Sequence, residues 1–273
     1  SISVLKDAAS ASIYGSRAAF GVILIKTKSG KSGKVSVTYN NNFRWSSPLL
    51  QPKMLDSERF AEYFNEAAKN GGQAAPFSDE TLQKIRDYKA GKIPYETEWN
   101  ESGKNWKGYT NGFSNNNWYD IFYRDNVPSQ EHNISSSGGT EAVNFYFSAN
   151  WLGQDGLMKF NPDKRDRYSV DATVNAQLHK MLKLKYSGKF SRVDYGRSSY
   201  DHGLFYHNIA RRWPTLPLKD PNGNYVYGNE VAHLNNGRRE EQTDEFIQQL
   251  ALIFTPIEGW NTHVELNYKT GTT

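Results

Sequence analysis

Polar and apolar positions alternate along most of this chain. Over Arg167–Leu178, Tyr168, Val170, Ala172, Val174, Ala176 and Leu178 fall on one side, and Arg167, Ser169, Asp171, Thr173, Asn175 and Gln177 on the other. A period of two belongs to a strand, whose side chains point in turn to its two faces. Val143–Trp151, Leu182–Phe190, Val35–Trp45 and Thr262–Tyr268 repeat it. Phe246–Phe254 is apolar on both faces, and Gln130–Gly138 carries the faintest pattern. Together these runs predict about seven strands, several near the 9–11 residues that cross a bilayer at a tilt. Two apolar runs precede them, Ile2–Leu5 and the β-branched Gly21–Thr27. Between them a short helix is expected over Ala8–Tyr14, capped by Asp7 and stopped by Gly15. Ser29–Gly33 reads as a flexible linker.

The links between the strands are sorted by length. Numbered in order, 2→3 (near Gly138–Glu141), 4→5 (His179-Lys180) and 6→7 (Pro256–Gly259) are tight turns. The links 1→2, 3→4 and 5→6 are long, spanning about residues 46–129, 153–166 and 192–245. In an up-and-down meander every short link then lies at one end and every long link at the other. Outer-membrane barrels have that asymmetry, whereas a soluble sandwich has no reason to adopt it. The first long link carries two amphipathic helices. One covers Asp56–Asn70, capped by Asp56 or Ser57, with Phe60, Tyr63, Phe64 and Ala67 along one side and Gly71-Gly72 at its end. The other covers Ser78–Ala90 and ends at Gly91; a polar, aromatic loop follows over Asn100–Asn117.

Composition narrows the classes further. The 273 residues contain no cysteine, 33 basic and 29 acidic side chains, 7 Trp, 17 Tyr and 14 Phe. That aromatic content argues against disorder. The lack of cysteine excludes a disulfide scaffold, a Cys-ligated zinc site and a cysteine nucleophile. A net charge of +4, scattered along the chain, does not make the basic stripe of a nucleic-acid binder. No apolar run spans a membrane as a helix. A mean hydropathy of −0.76 is compatible with a membrane barrel, because every second side chain faces a polar interior. With no initiator Met, and a strand-like run at each end, the sequence is expected to be an internal segment of a longer protein.

Residues Ser3-Val4-Leu5-Lys6-Asp7-Ala8, Ile13-Tyr14-Gly15-Ser16-Arg17 and Gly21-Val22-Ile23-Leu24-Ile25-Lys26-Thr27-Lys28 form a long motif. It resembles the end of the plug domain of SusC/RagA-type TonB-linked outer-membrane transporters. Met54-Leu55-Asp56-Ser57-Glu58, Asn65-Glu66-Ala67 and Trp118-Tyr119-Asp120 are similar to that family too, while Lys26 stands where it usually has Thr. The resemblance implies a mainly β fold: about seven strands of a plugged 22-stranded antiparallel transmembrane barrel. Residues 1–33 would be the C-terminal piece of an α+β plug, and residues 34–273 the N-terminal part of the barrel with its outer loops. It also implies a place in the outer membrane and import of oligosaccharides or peptides. The implied partners are outer-membrane lipid, the TonB complex (reached through parts of the transporter outside this sequence) and a SusD-like surface lipoprotein as lid. No enzyme activity, cofactor, metal or nucleic acid is implied.

Lys6, Asp7, Gly15, Arg17 and Gly21 carry the plug motif; ordinary turn and cap roles weigh more for them than ligand contact. The aromatics of the long links are the candidates for contact with substrate or lid, because flat rings stack on sugars and Trp and Tyr keep a polar handle. They are Trp99, Trp106, Tyr109, Phe113, Trp118 and Tyr119 in the first link and Tyr200, Phe205, Tyr206 and Trp213 in the third. Trp45, Trp151, Tyr168 and Tyr268 are expected in a girdle at the lipid interface. Asp220–Asn224 reads as a turn rather than a calcium loop. Glu240, Glu241, Asp244 and Glu245 read as solvated charge rather than a hydrolytic pair. The histidines show only a loose His202…His207 pairing. Two rivals follow from the same residues: a soluble or surface-attached all-β carbohydrate-binding module, and a secreted glycoside hydrolase. The module would bury its apolar face against a second sheet; the hydrolase would converge two acids in a cleft.

Overall fold

The computed structural model describes residues 2–7, 14, 15, 18, 20–25, 28–49, 51–200, 202–226 and 230–273. Strands β1 (Ile2–Leu5) and β2 (Val22–Ile25) pair antiparallel, Ile2 opposite Ile25. The helix expected between them falls mostly outside the described residues, as does Arg17. Gly15 and Gly21 take φ of 72° and 102°. Strand β3 (Gly33–Ser46) follows and leads into the first long link.

That link holds both expected helices. In α1 (Ser57–Asn70) the Asp56 carboxylate accepts from the backbone N–H of Glu58 and Arg59. In α2 (Asp79–Lys89) the Ser78 hydroxyl accepts from Thr81 N–H. Such caps satisfy donors that have no partner within the helix. Asn65 holds the two helices' connection: its amide donates to Phe77 O (2.8 Å) and accepts from Phe77 N (2.9 Å). A two-residue hairpin, β4 (Trp99–Asn100) and β5 (Asn105–Trp106), and a five-residue helix, α3 (Trp118–Phe122), complete the link.

The remaining strands are β6 (Val127–Gly139), β7 (Val143–Asp155), β8 (Lys164–His179) and β9 (Leu182–Ser198). Helices α4 (His202–Arg211) and α5 (Glu230–Asn235) precede β10 (Arg238–Phe254) and β11 (Thr262–Thr272). The main sheet runs β11-β10-β9-β8-β7-β6-β3, all neighbours antiparallel. It is therefore the seven-stranded meander read from the alternation, open at β3 and β11. The β6–β7 turn needs glycine: Gly139 has φ 131°, and a Cβ there would lie 2.2 Å from Val143 O.

Several strands run further than their hydrophobic pattern. β9 continues to Ser198 rather than Phe190, and β10 starts at Arg238 rather than Phe246. The second and third long links shrink accordingly to residues 156–163 and 199–237. In these extensions the face that is apolar elsewhere carries Arg192, Asp194, Glu240 and Asp244, while Val193 and Tyr195 fall on the opposite face, so the hydrophobic pattern breaks while the ladder of backbone hydrogen bonds continues.

Candidate functional site: two faces and an outer loop cluster

Cross-strand partners share a face. One face of the sheet collects Val37, Phe43, Phe147, Val170, Leu184, Leu252 and Leu266; the other collects Asn40, Arg44, Asn133, Ser148, Thr173, Lys185 and Asn267. Among the described residues nothing covers the apolar face: Val37 and Leu266 are each 64% exposed and Trp45 66%. A sandwich module would have buried that face against a second sheet. The polar face carries ion pairs such as Arg44–Glu131 (2.5 Å). The chain leaving β2 crosses the sheet on this polar side, where Gly30 packs against Asn144 and the Phe145 backbone.

The expected girdle residues form a line. Asn41, His132, Trp151, Tyr168, Arg192, Asp244 and Thr272 stand side by side across the sheet. Trp45 lies four positions from this row towards the long links, and Tyr268 four positions towards the tight turns. Eight positions at ~3.3 Å across six spacings of ~4.8 Å give a slope of about 43°. Membrane-barrel strands tilt by about 35–45°, which brings these four aromatics to one height. On the apolar face, Asp155, Lys164, Asp166, Arg192, Asp194, Arg238, Glu240 and Asp244 all lie on the long-link side of that line. His132, below it, stacks on Trp151 (5.5 Å) and meets Tyr39 Oη through Nδ1 (2.6 Å).

At the other end of the strands the three long links pack together. One core joins Trp118, Tyr119 and Phe122 of the first link, Met158 of the second, and Phe205, Ile209, Val231 and Leu234 of the third. A second joins Ala61, Phe77, Ile85 and Phe113, with Trp213 of the third link against it. Trp118 is fully buried, its Nε1 donating to Trp213 O (2.9 Å), with Arg212 over its ring (4.5 Å). Arg212 pairs with Glu230; burial pulls its guanidinium below its ordinary value, and Glu230 works against this. Glu96 ties the links across a wide sequence gap, accepting from Asn116 Nδ2 (2.9 Å) and Leu218 N (2.6 Å).

This packing divides the aromatic candidates. Phe113, Trp118, Tyr119 and Phe205 are buried and serve the loop cores, leaving no surface for a ligand. Trp213 is half-buried against Phe64 (4.6 Å) and Phe60 (5.2 Å), and Tyr200 packs on the first core. Tyr206 is exposed, near Tyr119 (6.4 Å). Trp99, Trp106 and Tyr109 line a cleft of about 890 Å³ between the β4–β5 hairpin and residues 212–217. Its other side chains include Asn100, Lys104, Asn105, Lys107, Asn111 and Arg212. None of these was singled out from the sequence, because the cleft is assembled by contacts about a hundred residues apart. Lys107 is held by Glu98 (3.1 Å), which also holds Lys84 (3.0 Å). Burial works to raise the Glu98 carboxyl, but bonds to Lys84 and Lys107 hold it below its ordinary value.

The remaining candidates resolve into structure. Asp220 Oδ1 accepts from Asn222 N and Asn224 N (2.9 Å each), a turn built by its own side chain. Among the described residues no group of three or more metal-ligating side chains converges. Glu240, Glu241, Asp244 and Glu245 pair with Arg238, Arg239, Arg192 and Lys269. His207 lies 2.8 Å from Arg211, and the His202 side chain is outside the described residues.

Two carboxylates at the start of α1 sit beside the end of α2. Asp56 is held below its ordinary value chiefly by its bond to Lys89, and Glu58 chiefly by Arg86 and then Lys89. A depressed carboxyl stabilises the fold above its unfolded pKa and loses that contribution as pH falls through the folded one. Protection of the α1 amides against hydrogen exchange, corrected for intrinsic rate, is therefore expected to fall below the unfolded values of 3.8 and 4.5. Equal protection at pH 7 and at pH 3 would refute this. Asp56→Ala adds the loss of a cap, about 1 kcal/mol.

An uncovered apolar face, a polar opposite face, tight turns at one end and packed loops at the other define a segment of an outer-membrane β-barrel. No family model matches the chain, but curated relatives do. It is 27% identical to TonB-dependent receptor P26 of Formosa agariphila over 95% of its own length and 24% of that protein's. It is also 27% identical to TonB-dependent receptor SusC of Bacteroides thetaiotaomicron, over 86% of this chain and 19% of SusC. The RagAB peptide importer shares the fold: in its open-open state the TM-score is 0.73 at 22% identity, over 99% of this chain and 31% of that one. In the closed-closed state the TM-score is 0.71, over 99% and 32%. The chain is thus SusC/RagA-like, similar to TonB-dependent receptors of the bacterial outer membrane, and it spans about a quarter of P26 and a fifth of SusC.

Proposed function

We propose that this chain contributes the end of the plug (residues 1–33) and the first barrel strands with their outer loops (residues 34–273) to a TonB-dependent nutrient importer. The observation that carries this is the sheet itself, apolar and uncovered on one side and polar on the other, with its long links gathered at one end. In this reading a SusD-like lipoprotein closes over the loop cluster, substrate is held between loops and lid, and force through TonB moves the plug. Lys6, Asp7, Gly15 and Gly21 shape the plug end, and Trp99, Trp106, Tyr109 and Tyr206 offer the accessible aromatic surface. No bond of the substrate is made or broken. The importer of peptides among the structural neighbours keeps peptides beside oligosaccharides as cargo.

The test uses the intact receptor in its own cells. Growth on its oligosaccharide or peptide source is expected to require the receptor and TonB, and a surface lipoprotein to co-purify with it from outer membranes. Growth that survives loss of TonB would overturn the import reading.

A further inference from the structure

The cleft between β4–β5 and residues 212–217 has a consistent chemistry. Lys104, Lys107 and Arg212 bring positive charge to it, and among the described residues no carboxylate lines it. Lys104 is exposed and, among the described residues, makes no ion pair, whereas Lys107 and Arg212 are fixed in place by Glu98 and Glu230 outside the cleft wall. The Arg212 Nε is buried without a hydrogen-bond partner. Trp99 and Trp106 meet edge to face (5.2 Å, 79°), so their planes open in different directions. Asn100, Asn105 and Asn111 also line it, with Asn100 Nδ2 donating to Asn105 Oδ1 (3.3 Å).

The backbone is shaped for this surface. Lys104 and Tyr109 adopt φ of 45° and 48°, a left-handed conformation that a residue with a side chain rarely takes and that persists only where surroundings enforce it. Tyr109 is held by Thr215 Oγ1, which donates to its carbonyl (3.0 Å). The third link thus fixes the cleft's aromatic lip.

We propose that this cleft binds an acidic oligosaccharide, one carrying carboxylates on its sugar rings. The rings supply stacking faces, the amides bond to hydroxyls, and Lys104, whose charge is not already paired, takes a carboxylate. An extended peptide is disfavoured because β4 and β5 are two residues each and offer no strand edge for a backbone ladder. The proposal rests on the importer reading and names its cargo.

The test is a titration of the intact, detergent-purified receptor, read by calorimetry. The probes are tetragalacturonate, the neutral cellotetraose and tetraglutamate. Tetragalacturonate is expected to bind, more weakly as salt rises, and far more tightly than the other two. Lys104→Gln should weaken it about fivefold and Trp106→Ala about tenfold. Trp99→Ala, at an exposed ring, serves as a second aromatic variant, and heat-modifiable gel mobility checks that each barrel is folded. Equal binding of cellotetraose or tetraglutamate, or full binding by Lys104→Gln, would overturn the proposal. A receptor that supports TonB-dependent growth yet binds no tetragalacturonate overturns this inference and leaves the import function standing.

Discussion

Trp118→Ala is expected to unlock the outer loop cluster while leaving the seven-stranded sheet in place. The Trp118 ring has no exposed surface and stacks near Phe122 (5.9 Å, 26°). Truncating a buried Trp costs about 3–5 kcal/mol, through lost burial and the cavity left behind. Two further losses follow: Trp213 O gives up the indole donor, and the half-buried Arg212 gives up the ring beneath it. Since Trp118 belongs to the first link and Arg212 and Trp213 to the third, the damage falls on the contact between links. Limited proteolysis of the intact receptor should therefore cut faster within residues 100–117 and 199–237, with barrel gel mobility unchanged. Trp118→Phe retains most of the packing and loses the indole bond, about 1 kcal/mol, so its loops should be cut at an intermediate rate. Loops as resistant in Trp118→Ala as in the parent would show that the cluster is held elsewhere.

The same residue shows where sequence reading stops. Trp118 was a candidate for substrate contact on its residue type and its place in a long link, and the structure puts it at the centre of a core. Its neighbours in that core come from three links, so no local periodicity announces it. The short helices α3, α4 and α5 were missed for the same reason. α3 and α5 are too short to be stable alone, and tertiary packing forms them. By contrast α1 and α2 were legible to within a residue, because Asp56, Ser78, Gly72 and Gly91 mark their ends locally. The strands were legible wherever one face is apolar and the other polar. Past Phe190 on β9 and before Phe246 on β10 the face that is apolar elsewhere carries Arg192, Asp194, Glu240 and Asp244, so the pattern ends there although pairing continues.

Placing arginine on the two faces of β8 separates a membrane sheet from any sheet that only happens to alternate. Ala172 lies on the apolar face, opposite Phe147 and Gly188, four positions from Tyr168 towards the tight turn after His179. With strands tilted as the aromatic line requires, that is close to mid-height of an apolar band about 25 Å tall. Ala172→Arg is expected to cost about 2–4 kcal/mol, the range for a cation near the bilayer midplane. Thr173→Arg, one residue on, points to the polar face between Tyr146 and Ser187, where water reaches it. It should assemble almost as the parent does. The readout is the amount of heat-modifiable receptor in the outer membrane at matched expression. The depth dependence adds a finer check: Asp166 already carries charge on the apolar face, two positions beyond Tyr168 on the long-link side. Asp166→Arg should therefore be far milder than Ala172→Arg, although both change the same face of the same strand. If Ala172→Arg and Thr173→Arg assembled equally well, neither face would be in contact with lipid. The barrel reading of this sheet would then fall, however well its strands and turns fit.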